Sequence, residues 1–151
     1  MDRVAVALGS NLGDRRAHLD FAVSRLATSF ANFHASRYYE TEPVDAPEPQ
    51  SLFLNAAAVG DTNAPAREIL EMLMAIERER GRERPFVHAA RTLDLDLILM
   101  GKTVLDEPGL IVPHPRFRER RFVLEPLAEI APEMVDPVSG STVARLLQRA
   151  G

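Results

Sequence analysis

An antiparallel α+β fold, with elements in the order β-α-β-β-α-β and extra C-terminal pieces, follows from three features of the sequence. Two apolar stripes recur at helical spacing, Leu19–Val23–Leu26–Phe30 and Ile69–Leu70–Leu73–Ile76. Four runs read as strands around them: RVAVAL, FHASRYYE, FLNAAAVG and the alternating TLDLDLIL. Turn-rich segments, GSNLGD and MGKTV among them, separate these runs. The order is that of a split β-α-β, or ferredoxin-like, sheet with helices packed on one face. At 151 residues the chain is expected to form one domain, 1–151.

Arg3 to Leu8 is the first strand, and GSNLGD ends it. The spacing predicts a helix from Arg15 to Phe30, with Asp14 as its N-cap. Phe33 to Glu40 is the second strand, followed by TEPVDAPEPQS, a loop long enough to suggest a function. Phe53 to Gly60 is the third strand. A second helix runs from Pro65 to Arg80, with Asn63 or Ala64 at its start, Pro65 near its first turn and Gly81 as its stop. Glu77 borders the buried stripe of that helix. RERPFVHAA is a polar connection into the Asp-containing strand. A short return strand, Thr103 to Leu105, follows, then a helical region from Arg118 to Ile130 and a tail helix near Thr142 to Arg149.

Composition narrows the function classes. The net charge of −4 argues against a general nucleic-acid binder, and no apolar run is long enough for a membrane span. No cysteine is present, so disulfides and thiolate metal sites are excluded. The N-terminus lacks a signal-peptide pattern, and a cytoplasmic monomer is expected. The charge is uneven. Residues 78–121 hold ten of the eighteen basic side chains and seven of the twenty-two acids, a local excess of +3. All but Lys102 are arginines, whose planar fork grips phosphate in two places.

The strand RTLDLDLILMG carries the chemistry. Period two sets Leu93, Leu95, Leu97 and Leu99 on one side and Asp94 and Asp96 on the other, ~6.6 Å apart. Two neighbouring carboxylates repel, and Asp is depleted in strands. A lone Asp there would be read as a solvated acid. Two in phase suit hard divalent cations, which take carboxylate oxygens and keep positions for substrate phosphates. Arg82, Arg84 and Arg91 before the strand, and Arg116, Arg118, Arg120 and Arg121 after it, could share a triphosphate with Mg²⁺. No Walker A loop and no GxGxxG is present, and GKT at 101–103 is a decoy because Asp96 stands where its first glycine belongs. His114, in PHP, is either a surface residue or a phosphate donor. Phe53 and Phe122 are most simply core residues. Asn55, inside an apolar strand, needs partners for one acceptor and two donors. These go either to a loop backbone or to a heterocycle.

The motifs ALGSNLGD, YETEPV, FLNAA, RTLDLDL, VPHPR and RRFVLEPLAEIAP together resemble the 6-hydroxymethyl-7,8-dihydropterin pyrophosphokinase family of the folate pathway. The resemblance covers nearly the whole chain, and RTLDLD followed by VPHPR is its most specific part. It implies transfer of an intact pyrophosphoryl group from ATP to the pterin hydroxymethyl, with release of AMP. It assigns Asp94 and Asp96 to two Mg²⁺ ions, with Arg82 and Arg91 beside them as catalytic residues. It assigns Glu77, Arg82, Arg84, Arg91, His114 and Arg120 to ATP. Phe53 and Phe122 match the pair that sandwiches the pterin, and Asn55, with Thr41 and Val44, the set that bonds its edge. Two departures stand out. Relatives commonly read WGPRTLDLD where this chain has VHAARTLDLD, in a segment that forms a mobile lid in the family, and GLI precedes VPH in place of a polar residue or Arg. An alternative from another class is a catalytically silent ferredoxin-like module that binds a small ligand.

Overall fold

Seven strands and four α-helices follow one another in the computed structural model, which describes residues 1–42, 52–81 and 92–150. β1 (Asp2–Ser10) leads into α1 (Arg15–Ser29), then β2 (Ala31–Ala35), β3 (Tyr39–Thr41) and β4 (Phe53–Thr62). α2 (Ala66–Gly81) precedes β5 (Asp94–Met100), the hairpin β6 (Leu105–Glu107) and β7 (Leu110–Val112), a 3-10 turn (Phe117–Glu119), α3 (Arg121–Ile130) and α4 (Val143–Arg149). The main sheet runs β2-β4-β1-β5, with β3 also on β4, and the named strand pairs are all antiparallel. This is the α+β order that the sequence predicts. Among the described residues no helix is long and apolar enough to cross a membrane.

Local chemistry sets the helix starts. Asp14 Oδ1 accepts the Ala17 N–H at 3.1 Å and caps α1, as expected. Pro65 stands just before α2 and accepts from the N–H groups of Glu68 and Ile69 at 3.0 and 3.1 Å. The buried residues Leu19, Ala22 and Leu26 of α1 and Ile69, Leu73 and Ile76 of α2 pack on Val4, Val6 and Leu8 of β1 and on Leu93, Leu95 and Leu97 beside and within β5.

Four boundaries differ from expectation. β1 continues through Gly9 and Ser10, because these pair with Asn55 and Leu54 rather than turning away. The predicted second strand is two pieces: Ser36 interrupts it, its N–H and hydroxyl engaging Ala57 at 2.8 and 2.9 Å. The return strand lies later, at Leu105–Glu107, and pairs with a strand, Leu110–Val112, that the sequence did not announce. The helical region from Arg118 is broken at Arg120, between the 3-10 turn and α3.

The second face of the sheet is also covered. Phe117, Val123, Leu124 and Leu127, with Val143 and Leu146 of α4, form a separate core on Ala5, Ala57, Val59, Ile98 and Leu99. Leu99 was expected beside Leu97. A β-bulge changes this, since Val6 pairs with Leu97 but Ala5 pairs with Leu99. The extra residue shifts the side-chain phase, so Ile98 and Leu99 both serve the second core and Met100 returns to the first.

Candidate active site

Strand register brings the predicted residues together. Gly9 in β1 is flanked by Asn55 of β4 and Asp94 of β5, and Ala7 by Ala57 and Asp96. Alternation therefore sets Ala7, Gly9, Phe53, Asn55, Asp94 and Asp96 on the face that α3 covers farther along. Where α3 begins the cover stops, leaving a cleft of ≈ 620 Å³. Thr41, Phe53, Asn55, Asp94 and Asp96 line its floor, and Arg120 and Phe122 its opposite wall. That volume lies within the roughly 300–1,000 Å³ of small-molecule sites. A hollow of ≈ 580 Å³ beside the start of α1 is nearly as large, so volume does not decide between them. Chemistry does, because Asp94 and Asp96, the pair Phe53 and Phe122, and Arg116, Arg120 and Arg121 line the larger cleft together, and none of them lines the hollow beside α1.

One half of the cleft suits a flat heterocycle. Phe53 and Phe122 are both half-buried and both line it, so neither is a sealed core residue. Asn55 is 7% exposed, and its Oδ1 accepts the Thr41 hydroxyl. What Asn55 offers the cleft is its NH₂ edge, a pair of donors for a ring nitrogen or carbonyl. Gly9 makes room for this: a Cβ there would lie 3.2 Å from Asn55 Nδ2 and 3.8 Å from Phe53 Cδ1. Sequence reasoning took Gly9 for a turn residue and missed this role. Glu42 and Glu119 also line the cleft unannounced, and no periodicity marks them.

The other half carries charge. Arg120 lies with its guanidinium carbon 5.6 Å from the Phe122 ring centre, joining the two halves. His114 is held at both ends: its N–H donates to the Ile98 carbonyl at 2.9 Å, and its Nδ1 accepts the Arg116 N–H at 3.1 Å. Burial first, then the Arg120 charge, pushes its pKa below the ordinary 6.5, against an opposing pull from Asp94. The ring is then neutral near pH 7 with its proton on Nε2, a donor for a phosphate oxygen. Glu77 Oε2 accepts the Leu95 N–H at 2.7 Å, between the two aspartates in sequence.

One predicted participant needs revision and four lie outside the described residues. Arg118 does not join the phosphate cluster: its guanidinium binds Asp136, which is fully buried. Val44, Arg82, Arg84 and Arg91, with most of the loop after Thr41 and the polar connection before β5, lie outside the described residues. Among the described residues no group of three or more His, Asp or Glu could hold a metal ion. Asp94 and Asp96 nonetheless fit a hard cation, because both are partly exposed carboxylates on one strand face opening into the cleft. Such a site would leave its other positions to water and substrate phosphates.

Residues 5–132 match the family model of 7,8-dihydro-6-hydroxymethylpterin-pyrophosphokinase (HPPK). The chain belongs to the HPPK family. A 2-amino-4-hydroxy-6-hydroxymethyldihydropteridine pyrophosphokinase of Bacillus subtilis is 44% identical over 89% of this chain and 81% of its own. One from Pseudomonas aeruginosa is 40% identical, covering 89% and 83%, and one from Synechocystis is 38% identical, covering 95% and 74%. Among solved structures, wild-type Plasmodium falciparum HPPK-DHPS with pteroate superposes at a TM-score of 0.76 over 98% of this chain. It is 14% identical, so it speaks for the fold alone, and the HPPK chain described here spans 44% of that longer protein.

Proposed function

We propose that this HPPK-family chain transfers the pyrophosphoryl group of ATP to the hydroxymethyl of 6-hydroxymethyl-7,8-dihydropterin, giving AMP, with two Mg²⁺ ions held by Asp94 and Asp96. The observation that carries the reading is the meeting of those carboxylates with Phe53, Asn55 and Phe122 in one cleft. The chemistry that Mg²⁺ would supply there is neutralisation of the triphosphate and activation of its phosphorus toward attack.

The side chains supply position and charge. Phe53 and Phe122 stack on the two faces of the pterin, and Asn55, oriented by Thr41, bonds its edge, with Val44 completing that set. Arg120 and neutral His114 donate to phosphate oxygens. Arg82, Arg84 and Arg91 are assigned to the same oxygens, and Glu77 to the nucleotide side while it fixes Leu95. The substrate hydroxyl oxygen attacks the β-phosphorus in line. The bond from that phosphorus to the oxygen bridging it to the α-phosphorus breaks, so that AMP leaves with the bridging oxygen, and the hydroxyl proton passes to solvent. Rate then comes from alignment and charge complementarity. No side chain is assigned as a general base.

The test is an assay of AMP from ATP, Mg²⁺ and the dihydropterin. AMP formed only when the pterin is present supports the reading. No AMP, or AMP independent of pterin, overturns it in favour of a silent ligand-binding module.

A further inference from the structure

Arg15 opens α1 on the side of the sheet away from the cleft, and its guanidinium joins two strands. Nη1 donates to the Leu52 carbonyl at 2.6 Å and Nη2 to Glu40 Oε2 at 2.9 Å. Glu40 lies in β3, next to Thr41, and Leu52 comes immediately before Phe53, the first residue of β4. Thr41 and Phe53 are register partners. Both grips therefore fall on chain neighbours of two cleft residues, at the rung where β3 ends and β4 begins.

That rung needs holding. β3 has three residues and, among the described residues, pairs only with β4, too little ladder to be stiff by itself. Glu129 fastens the other end of β3, accepting the Tyr39 hydroxyl at 2.6 Å. The end nearest the cleft is fastened by Arg15. The arginine is itself well anchored, one residue after the Asp14 cap in the first turn of α1. A lysine would offer one nitrogen where the guanidinium offers two, so both grips would have to share a single donor centre. Stability is not where this contact would register most. The Arg15 and Glu40 side chains are 27% and 55% exposed, and exposed ion pairs contribute little to folding. Geometry is where it would register, because the Thr41 hydroxyl orients Asn55.

We infer that Arg15 is a positioning residue for the heterocycle half of the cleft. It fixes the β3–β4 spacing at the rung carrying Thr41 and Phe53, and through it the aim of Asn55. The inference rests on the reading that this half takes the pterin.

The experiment compares wild type with Arg15→Ala, Arg15→Lys and Glu40→Gln, measuring kcat and both KM values in the AMP assay. Expected for Arg15→Ala is a rise of about tenfold in KM for the dihydropterin, the size of one lost charge-assisted hydrogen bond. KM for ATP and kcat should stay within about twofold, and Arg15→Lys should fall between the two. Glu40→Gln, which keeps the shape and removes one charge, carries the same split should Arg15→Ala fail to fold. An equal rise in both KM values, a loss of kcat alone, or no change in the pterin KM would overturn the Arg15 role while leaving the activity intact. A wild type that makes no AMP would overturn the activity reading, and this inference with it.

Discussion

The carbonyl of Ile98 accepts the backbone N–H of His114 at 2.9 Å. Ile98 is the residue skipped in the β1–β5 register, where Val6 pairs with Leu97 and Ala5 with Leu99. The bulge thus gives its unpaired carbonyl to the PHP loop and tethers His114 to the strand that carries Asp94 and Asp96.

The tether has a pH consequence. His114 is lowered from 6.5 chiefly by burial and then by Arg120, and His18 by burial and then by Arg80, whose Nε donates to its Nδ1 at 2.8 Å. Each is therefore less protonated folded than unfolded, so acid favours unfolding. Their contribution is full above 6.5 and is lost as pH falls through their lowered folded values. Urea midpoints should drop as pH falls below 6.5, and a His18→Asn/His114→Asn double variant should flatten that slope. An equally steep slope in the double variant would contradict the assignment.

Arg118 and Asp136 should behave as a structural pair. Burial alone would raise the Asp136 carboxyl, but hydrogen bonds from Arg118, Ser139 and the Val138 N–H outweigh it and hold the pKa at about 2, from 3.8. That shift is worth about 2 kcal/mol, present above 3.8 and lost as pH falls through about 2. Arg118→Met should cost about 3 kcal/mol at neutral pH in urea unfolding, the low end for breaking a buried pair because the Val138 N–H and Ser139 hydroxyl still donate to the carboxylate. KM for ATP should hardly move, whereas a phosphate role would raise it with little loss of stability.

What the sequence discloses and what it hides divide along physical lines. Periodicity announces α1, α2 and the phase of Asp94 and Asp96, because side-chain direction in regular elements follows from spacing. It places Leu99 wrongly, because a bulge is a backbone event that no apolar pattern records. Arg118 looks like its neighbours Arg116 and Arg120 in sequence, and only the fold shows that Asp136, eighteen residues on, claims it. Gly9 is hidden for the opposite reason: its role is the absence of a side chain beside Asn55.

The Gly9 reading is tested by Gly9→Ala. The new methyl would sit 3.2 Å from Asn55 Nδ2, so the amide must turn or the strands must part. Pterin binding should weaken and ATP binding change little, as read by calorimetry. Equal effects on both ligands would point to general disturbance of β1 instead.

Phe122 makes a companion test from the opposite wall. Phe122→Ala should weaken pterin binding by about 1–3 kcal/mol, by analogy with base–aromatic stacking. The ring is half-buried, so the fold should survive its loss. Matching losses for pterin and ATP in calorimetric titrations would return Phe122 to a core role.

Asp94 and Asp96 carry the sharpest prediction, because function and structure give opposite answers there. β5 is held by backbone pairing to β1 and by burial of Leu95 and Leu97, none of which uses the carboxylates. Asp→Asn at either position keeps the shape and one acceptor oxygen, turns the other into an NH₂ donor, and removes a hard anionic ligand. Turnover should fall about a hundredfold or more, the scale of losing electrostatic stabilisation at a transferring phosphoryl group. Mn²⁺ binding in the presence of ATP, followed by electron paramagnetic resonance, should weaken in parallel and reports on the ligands independently of turnover. Stability in EDTA should change far less than turnover, because the amide keeps the size of the side chain and one of its acceptor oxygens. If the pair served the fold alone, the variants would melt far lower while their folded fraction kept normal turnover and Mn²⁺ affinity. That result would remove the metal reading and leave the two aspartates as structural acids.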